Sequence, residues 1–144
     1  MKAHSTWLAA LWIAASGALA LAGCNQTNSP DEARSELADA QAQAQRDLAD
    51  AQREARERMA QARQELLRAQ ERGENTASKA QEASQAQAQN EYEVAVARAE
   101  ATHRVAIAEC ETLTGAAQAD CKQRAQRELE RAIRHAEARR SGTG

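Results

Sequence analysis

The sequence predicts an all-α protein that consists of long coiled-coil-like helices and a disulfide-closed C-terminal helical hairpin. Three observations support this fold class. Alanine, glutamine, glutamate and arginine dominate residues 24–144, and all four favour helices. An apolar stripe recurs every eleven residues in the first half of this region. Two cysteines, Cys110 and Cys121, lie on either side of a turn at Gly115.

Large apolar side chains are scarce after residue 23. Tyr92 is the one aromatic residue in that part of the sequence, and the chain contains no phenylalanine. Such a composition cannot build a compact globular core and is also typical of disordered chains. The small formal net charge of −2 and the abundance of helix-forming residues nevertheless favour long, thin helices over disorder.

A strong helix start follows a short polar tether, residues 24–30. Ser29 can cap the helix, Pro30 suits its first position, and Glu32 completes a capping box. The predicted helix covers residues 31–72 and would form an arm about 60 Å long at 1.5 Å per residue. Its apolar stripe advances by three or four residues and repeats every eleven, which keeps the stripe on one face. The stripe comprises Leu37, Ala40, Ala44, Leu48, Ala51, Ala55, Met59, Ala62 and Leu66.

Residues 73–78 form the predicted break or hinge after this helix. Gly73 can end a helix, and Asn75, Thr76 or Ser78 can cap the next one. The alternative is one continuous helix that passes through this segment.

Residues 79–140 are predicted to form the helical hairpin, and residues 141–144 a loose tail. Within the hairpin, Val94-Ala95-Val96-Ala97 alternates in a way that also suits a strand. The flanking helix formers and a similar segment eleven residues later, Val105-Ala106-Ile107-Ala108, favour a helix. The last helix of the hairpin places small and apolar residues on one face. These residues are Cys121, Ala125, Leu129, Ala132, Ile133 and Ala136.

Charge is unevenly distributed along the hairpin region. Residues 73–121 contain eight acidic and three basic residues, a net charge of −5. Residues 122–140 contain three acidic and seven basic residues, a net charge of +4. We therefore expect the basic last helix to lie antiparallel against the acidic one before it, although exposed ion pairs are individually weak. The alternative is that the basic helix binds anionic peptidoglycan or lipid headgroups.

The N-terminal segment has the layout of a secretory signal. Lys2 precedes an apolar run over residues 7–22, and small residues come directly before Cys24. A transmembrane helix is the alternative interpretation, but the run is shorter than the roughly 20 residues that a bilayer span requires. The sequence therefore predicts an exported protein.

The segment Leu21-Ala22-Gly23-Cys24 resembles the lipobox of bacterial lipoproteins. The resemblance implies that residues 1–23 are a cleaved signal peptide and that acyl chains such as palmitate on Cys24 anchor the protein in a membrane. In Gram-negative members, aspartate after the cysteine favours retention in the inner membrane. Asn25 therefore implies the outer membrane, facing the periplasm. Inner-membrane retention and a plain secretory signal with an unmodified Cys24 are the alternatives.

With Cys24 assigned to lipidation, Cys110 and Cys121 remain as an even pair in an exported chain, which favours a disulfide. Together with Leu113 and Gly115 they form a pattern that resembles uncharacterised exported proteobacterial helical proteins, and no activity follows from it. The alternatives are redox chemistry and a zinc site. The spacing is not that of a CxxC motif, and an oxidising periplasm favours the disulfide over zinc bound with His103 and His135.

No pattern in the sequence indicates an enzyme, a cofactor or a metal site, and an exported, acidic mature chain does not suit nucleic acid. The plan is similar to that of small helical outer-membrane lipoproteins. We therefore expect a structural spacer or adaptor of the cell envelope that contacts other helices, itself or the wall. The alternative is a periplasmic chaperone or stress-protective protein whose flexible amphipathic helices fold on contact with a client or lipid, since weakly amphipathic helices are marginal alone.

Overall fold

The structure is a computed structural model that describes residues 29–142. Within that range the chain forms three α-helices and no strand: α1 (Pro30–Glu71), α2 (Thr76–Cys110) and α3 (Gly115–Arg140). This architecture confirms the predicted all-α class. The predicted signal segment, Cys24 with most of the predicted tether, and residues 143–144 lie outside the described residues.

The start of α1 is fixed by a capping box, as the sequence predicts. The Ser29 hydroxyl accepts a hydrogen bond from the Glu32 amide at 3.3 Å, and the Glu32 carboxylate accepts one from the Ser29 amide at 2.8 Å. The bond from the Ser29 backbone amide holds the pKa of Glu32 below its ordinary value. Pro30 occupies the first turn, where its missing N–H is not needed.

The turn after α1 is a Schellman motif, which explains why the helix stops there. Gly73 adopts a left-handed conformation with φ +66°. Its amide donates to the Gln70 carbonyl at 3.1 Å, and the Glu74 amide donates to the Ala69 carbonyl at 3.0 Å. Asn75 then caps α2 by accepting a hydrogen bond from the Ala77 amide at 3.0 Å. One continuous helix through residues 73–78 therefore does not form.

Helix α1, which the sequence predicts as a long arm over residues 31–72, folds back along α2. Arg58 of α1 pairs with Glu93 of α2, and Asp47 of α1 pairs with Arg104 of α2. All nine residues of the predicted stripe are buried or half-buried in this antiparallel packing. The stripe is thus the inner face of an intramolecular hairpin.

Helix α2 is the central element, since α1 and α3 pack on opposite sides of it. Asn90, Glu93 and Arg104 contact α1, whereas Tyr92 and Cys110 contact α3. At about 100° per residue, Asn90 lies about 160° from Tyr92 around α2, and Arg104 about 120° from Cys110. No residue of α1 has its Cα within 8 Å of an α3 Cα. The described part of the chain is therefore a flat layer, one helix thick, rather than a bundle.

This placement explains the alternating valines of α2. Residues two positions apart on a helix point about 200° apart. Val94 and Val105 therefore lie toward one broad face of the layer, and Val96 and Ile107 toward the other. All four are half-buried, because flanking helices shield both sides of α2. The alternation that resembles a strand is a consequence of a helix packed between two others.

Alanine dominates both helix interfaces. The buried residues are Ala33, Ala44, Ala69, Asn90, Ala101, Cys110, Ala125 and Ala136. Small side chains let helices approach closely but bury little apolar area each. Asn90 is the one polar member, and its side-chain amide donates a long bond of 3.5 Å to the Ala55 carbonyl on α1. We infer that this bond favours one register of α1 on α2.

The α2–α3 hairpin is closed by the Cys110–Cys121 disulfide, with a Cα–Cα distance of 5.6 Å. This confirms the predicted pairing. As expected from the charge distribution, Lys122 pairs with Glu111 at 2.7 Å, and Arg139 with Glu91 at 3.7 Å. Ala132, which belongs to the predicted small and apolar face of α3, is exposed.

The ion pair between Arg58 and Glu93 makes the α1–α2 packing sensitive to acid. Hydrogen bonds from Gln89 and then from Arg58 hold the pKa of Glu93 below its ordinary value. The unfolded chain therefore takes up the proton first as the pH falls. This contribution to stability is complete above about pH 5 and is lost below the ordinary glutamate pKa of about 4.3.

We expect Glu93→Gln to lower stability at neutral pH and to reduce the loss of stability on acidification. Urea unfolding followed by circular dichroism at neutral and acidic pH measures both effects. Glu100→Gln, on the same helix and in no ion pair with a described residue, is the matched control and keeps the acid dependence of the parent chain. An unchanged acid dependence in Glu93→Gln would contradict the assignment.

Candidate functional site

The structure describes some of the residues that the sequence singles out for function, but not all of them. Cys24 lies outside the described residues. Cys110 and Cys121 form the disulfide at one end of the layer. His103 is half-buried between α2 and α3, and His135 is exposed on α3. Residues 29–142 contain no group of three or more histidine, cysteine, aspartate or glutamate residues that is arranged to hold a metal ion.

The described chain has an open groove that we call the arginine groove. Its volume is about 700 Å³, and all three helices contribute to its walls. Met59 and Val94 provide apolar surface inside it. Its arginines are Arg56 and Arg63 from α1, Arg98 from α2 and Arg139 from α3.

Helical periodicity brings these arginines to one side of the layer. Arg56 and Arg63 are seven residues apart, or about two turns, and each directly follows a residue of the inner stripe. They therefore flank the α1–α2 interface on the same side. Arg98 follows Val94 by about one turn on α2. Arg139 reaches the groove because the end of α3 lies beside Glu91.

The arginine groove carries an excess of positive charge. Glu91 is the one carboxylate that lines it, and it lies 3.7 Å from Arg139. No carboxylate of residues 29–142 forms an ion pair with Arg56, Arg63 or Arg98, and all three side chains are exposed. Guanidinium groups bind carboxylates and phosphates with two parallel hydrogen bonds. The groove therefore suits an anionic group, with apolar carbon held beneath it.

Sequence reasoning missed this groove for a physical reason. The net charge of each segment along the chain identifies only the basic last helix. The groove instead collects arginines from three helices, and Arg56 and Arg139 are far apart in sequence. A comparison of the two flanks of the α1 stripe would have detected Arg56 and Arg63. The contribution of Arg98 and Arg139 required the tertiary arrangement.

None of the helices in the described range combines the length and the apolar character needed to cross a bilayer. In comparisons with known proteins, the chain matches no protein-family profile, no curated protein and no solved structure.

Proposed function

We propose that this chain is a membrane-anchored periplasmic lipoprotein that acts as a structural spacer or adaptor in the cell envelope. The observation that carries the proposal is the junction of a lipobox-like segment with a long helix. Helix α1 begins six residues after Cys24 and has 42 residues. At 1.5 Å per residue it extends about 60 Å. An acylated Cys24 would therefore hold one end of an elongated helical layer at the membrane.

The fold supports this proposal in two further ways. The Cys110–Cys121 disulfide suits an oxidising compartment such as the periplasm. The layer also exposes both broad faces and the outer edges of α1 and α3, which gives a large surface for partners. The inner stripe of α1 is occupied by α2, so contacts with other proteins use these outer surfaces rather than the stripe.

The anchor is tested by metabolic labelling with an alkyne-bearing palmitate in a bacterial host that expresses the full chain. We expect the label on the parent chain, together with recovery in the membrane fraction. Cys24→Ser should abolish both, since removal of the thiol removes the acylation site. Cys110→Ser with Cys121→Ser, which leaves Cys24 in place, is the matched control and should retain the label. An unlabelled parent chain would contradict the lipoprotein assignment.

The spacer or adaptor role is tested by cross-linking mass spectrometry on intact cells without reduction. Reproducible links from the outer edge of α1 to one envelope protein, or between copies, would support it. Diffuse links to many unrelated proteins would favour the chaperone-like alternative. The open groove, which presents Met59 and Val94, is the structural feature consistent with that alternative.

A further inference from the structure

The two broad faces of the helical layer differ in charge, and the difference is clearest on α1. The flank of α1 that borders the arginine groove carries Arg34, Arg56 and Arg63, of which Arg34 pairs with Asp31 at 3.0 Å. The opposite flank carries Arg58 and a majority of acidic residues, among them Glu36, Asp47, Asp50, Glu54 and Glu65. One helix thus separates positive from negative charge across the layer.

The other two helices extend this separation. On the groove side, α2 adds Arg98, Glu91 and Glu109, and α3 adds Arg124, Arg131, Arg139 and Glu128. We call this side, with seven arginines, three glutamates and Asp120, which lies eleven residues before Arg131, the cationic face. On the other side, α2 presents Glu82, Glu93, Glu100 and Glu111, and we call this side the acidic face.

The acidic face pairs its arginines with carboxylates, whereas on the cationic face only Arg34 and Arg139 form ion pairs within the described residues. Arg58 pairs with Glu93, and Arg104 with Asp47, so both basic side chains are matched within the layer. On the cationic face, Arg56, Arg63 and Arg98 form no ion pair within residues 29–142. Their charge is available to an external anion.

The cationic face is also flat and partly apolar. It follows the length of α1, about 60 Å at 1.5 Å per residue. Leu67, which is 57% exposed, lies on the same flank as Arg63, and Met59 and Val94 line the groove beside it. A broad, flat surface that combines guanidinium groups with exposed apolar carbon suits an interface with lipid headgroups.

We propose that the cationic face binds the phosphate headgroups of an anionic lipid bilayer, so that the helical layer lies flat on the membrane. The inference rests on the membrane location proposed above, but it does not depend on acylation of Cys24. It favours the adaptor over the spacer, because a layer that lies flat presents its acidic face to partners instead of extending across the periplasm.

The test uses the full chain with Cys24→Ser and a fluorophore that reports contact with lipid. Because Cys110 and Cys121 are joined, an introduced cysteine is then the single reactive thiol. Gln45→Cys lies on the cationic flank of α1 and Gln43→Cys on the acidic flank, and both positions are exposed. We expect the Gln45 probe to respond to vesicles of phosphatidylglycerol and phosphatidylcholine, and neither probe to respond to phosphatidylcholine alone.

A triple substitution tests which arginines are responsible. Each basic residue near an anionic bilayer strengthens binding roughly fivefold, so Arg56→Gln, Arg63→Gln and Arg98→Gln together should raise the lipid concentration for half-maximal response about a hundredfold. The matched control is Arg46→Gln, Arg68→Gln and Arg127→Gln, which removes the same charge from exposed positions off the cationic face. The control should retain most of the response, and added salt should weaken it.

Three results would overturn the proposal. Equal responses of the Gln43 and Gln45 probes would show that the membrane does not distinguish the two faces. Equal effects of the two triple substitutions would show that only net charge matters. The third result is self-association without lipid, measured by sedimentation velocity. If the triple substitution of Arg56, Arg63 and Arg98 abolishes it and the control does not, the cationic face binds the acidic face of a second copy. Because Cys24 is absent from this experiment, its failure is distinguishable from failure of the acylation test.

Discussion

Reduction of the Cys110–Cys121 disulfide should lower the free energy of unfolding by about 3 kcal/mol, because it releases a loop of about a dozen residues in the unfolded chain. The expected effect is large for this hairpin. Buried side chains of α3 are limited to Ala125 and Ala136, so apolar burial alone holds α3 weakly. Urea unfolding followed by circular dichroism, with and without a thiol reductant, measures the change.

The control for this prediction is the chain with Cys110→Ser and Cys121→Ser. Its unfolding midpoint should match that of the reduced parent chain and should not respond to reductant. In the oxidised parent chain, Ellman's reagent should detect no thiol from these two positions. An unchanged midpoint in the parent chain on reduction would show that packing of α3 on α2 suffices without the disulfide.

Ala101→Leu should destabilise the α1–α2 packing by about 1–3 kcal/mol, because a larger side chain in a close interface forces the helices apart. Ala101 is 7% exposed and lies eleven residues after Asn90, which contacts Ala55 on α1. Ala44, 6% exposed, lies eleven residues before Ala55. The eleven-residue repeat therefore places Ala101 of α2 opposite Ala44 of α1, just as Asn90 lies opposite Ala55. The larger side chain in Ala101→Leu would therefore need space that the close packing of α1 on α2 already fills.

Ala80→Leu is the matched control, since Ala80 is on the same helix but exposed. It should change the free energy of unfolding by less than about 0.5 kcal/mol, as surface substitutions do. The measurement is again urea unfolding followed by circular dichroism. If Ala101→Leu and Ala80→Leu give the same stability, the α1–α2 interface is looser than the structure indicates.

Local features of the fold were predictable because they depend on short-range chemistry. Ser29, Pro30 and Glu32 satisfy backbone groups of the first turn, whatever α1 packs against. Gly73 ends α1 because it adopts a left-handed conformation that other residues rarely do. The inner stripe was predictable because eleven residues make nearly three whole turns, so its members stay on one face.

The arrangement of the helices was less predictable. A stripe of alanines interspersed with leucines does not specify whether its partner is α2 or another chain. That choice is made by the short Gly73 turn, by Asn90 and by the ion pairs of Arg58 and Arg104, which act only when α2 returns beside α1. The position of α3 was easier to predict, because the disulfide and its basic charge both direct it to α2.

The arginine groove was the least predictable feature. Each of its arginines appears alone in the sequence as an ordinary solvated helix residue. The arginines meet in one groove because each helix is rotated about its axis so that they point to the same side. The sequence indicates this rotation only for α1, through its apolar stripe. The rotation of α3 depends on the disulfide geometry and on contacts such as Arg140 with the Tyr92 ring, 4.4 Å from its centroid.

A layer one helix thick has two separate helix interfaces, α1–α2 and α2–α3, instead of one shared core. Because no Cα of α1 lies within 8 Å of an α3 Cα, opening the interface between α1 and α2 leaves the α2–α3 interface intact, and the disulfide fastens only the latter. The described chain therefore comprises two units that open independently, and amide hydrogen exchange should reveal two levels of protection. Helix α1 can therefore separate from α2 while the disulfide-closed hairpin persists.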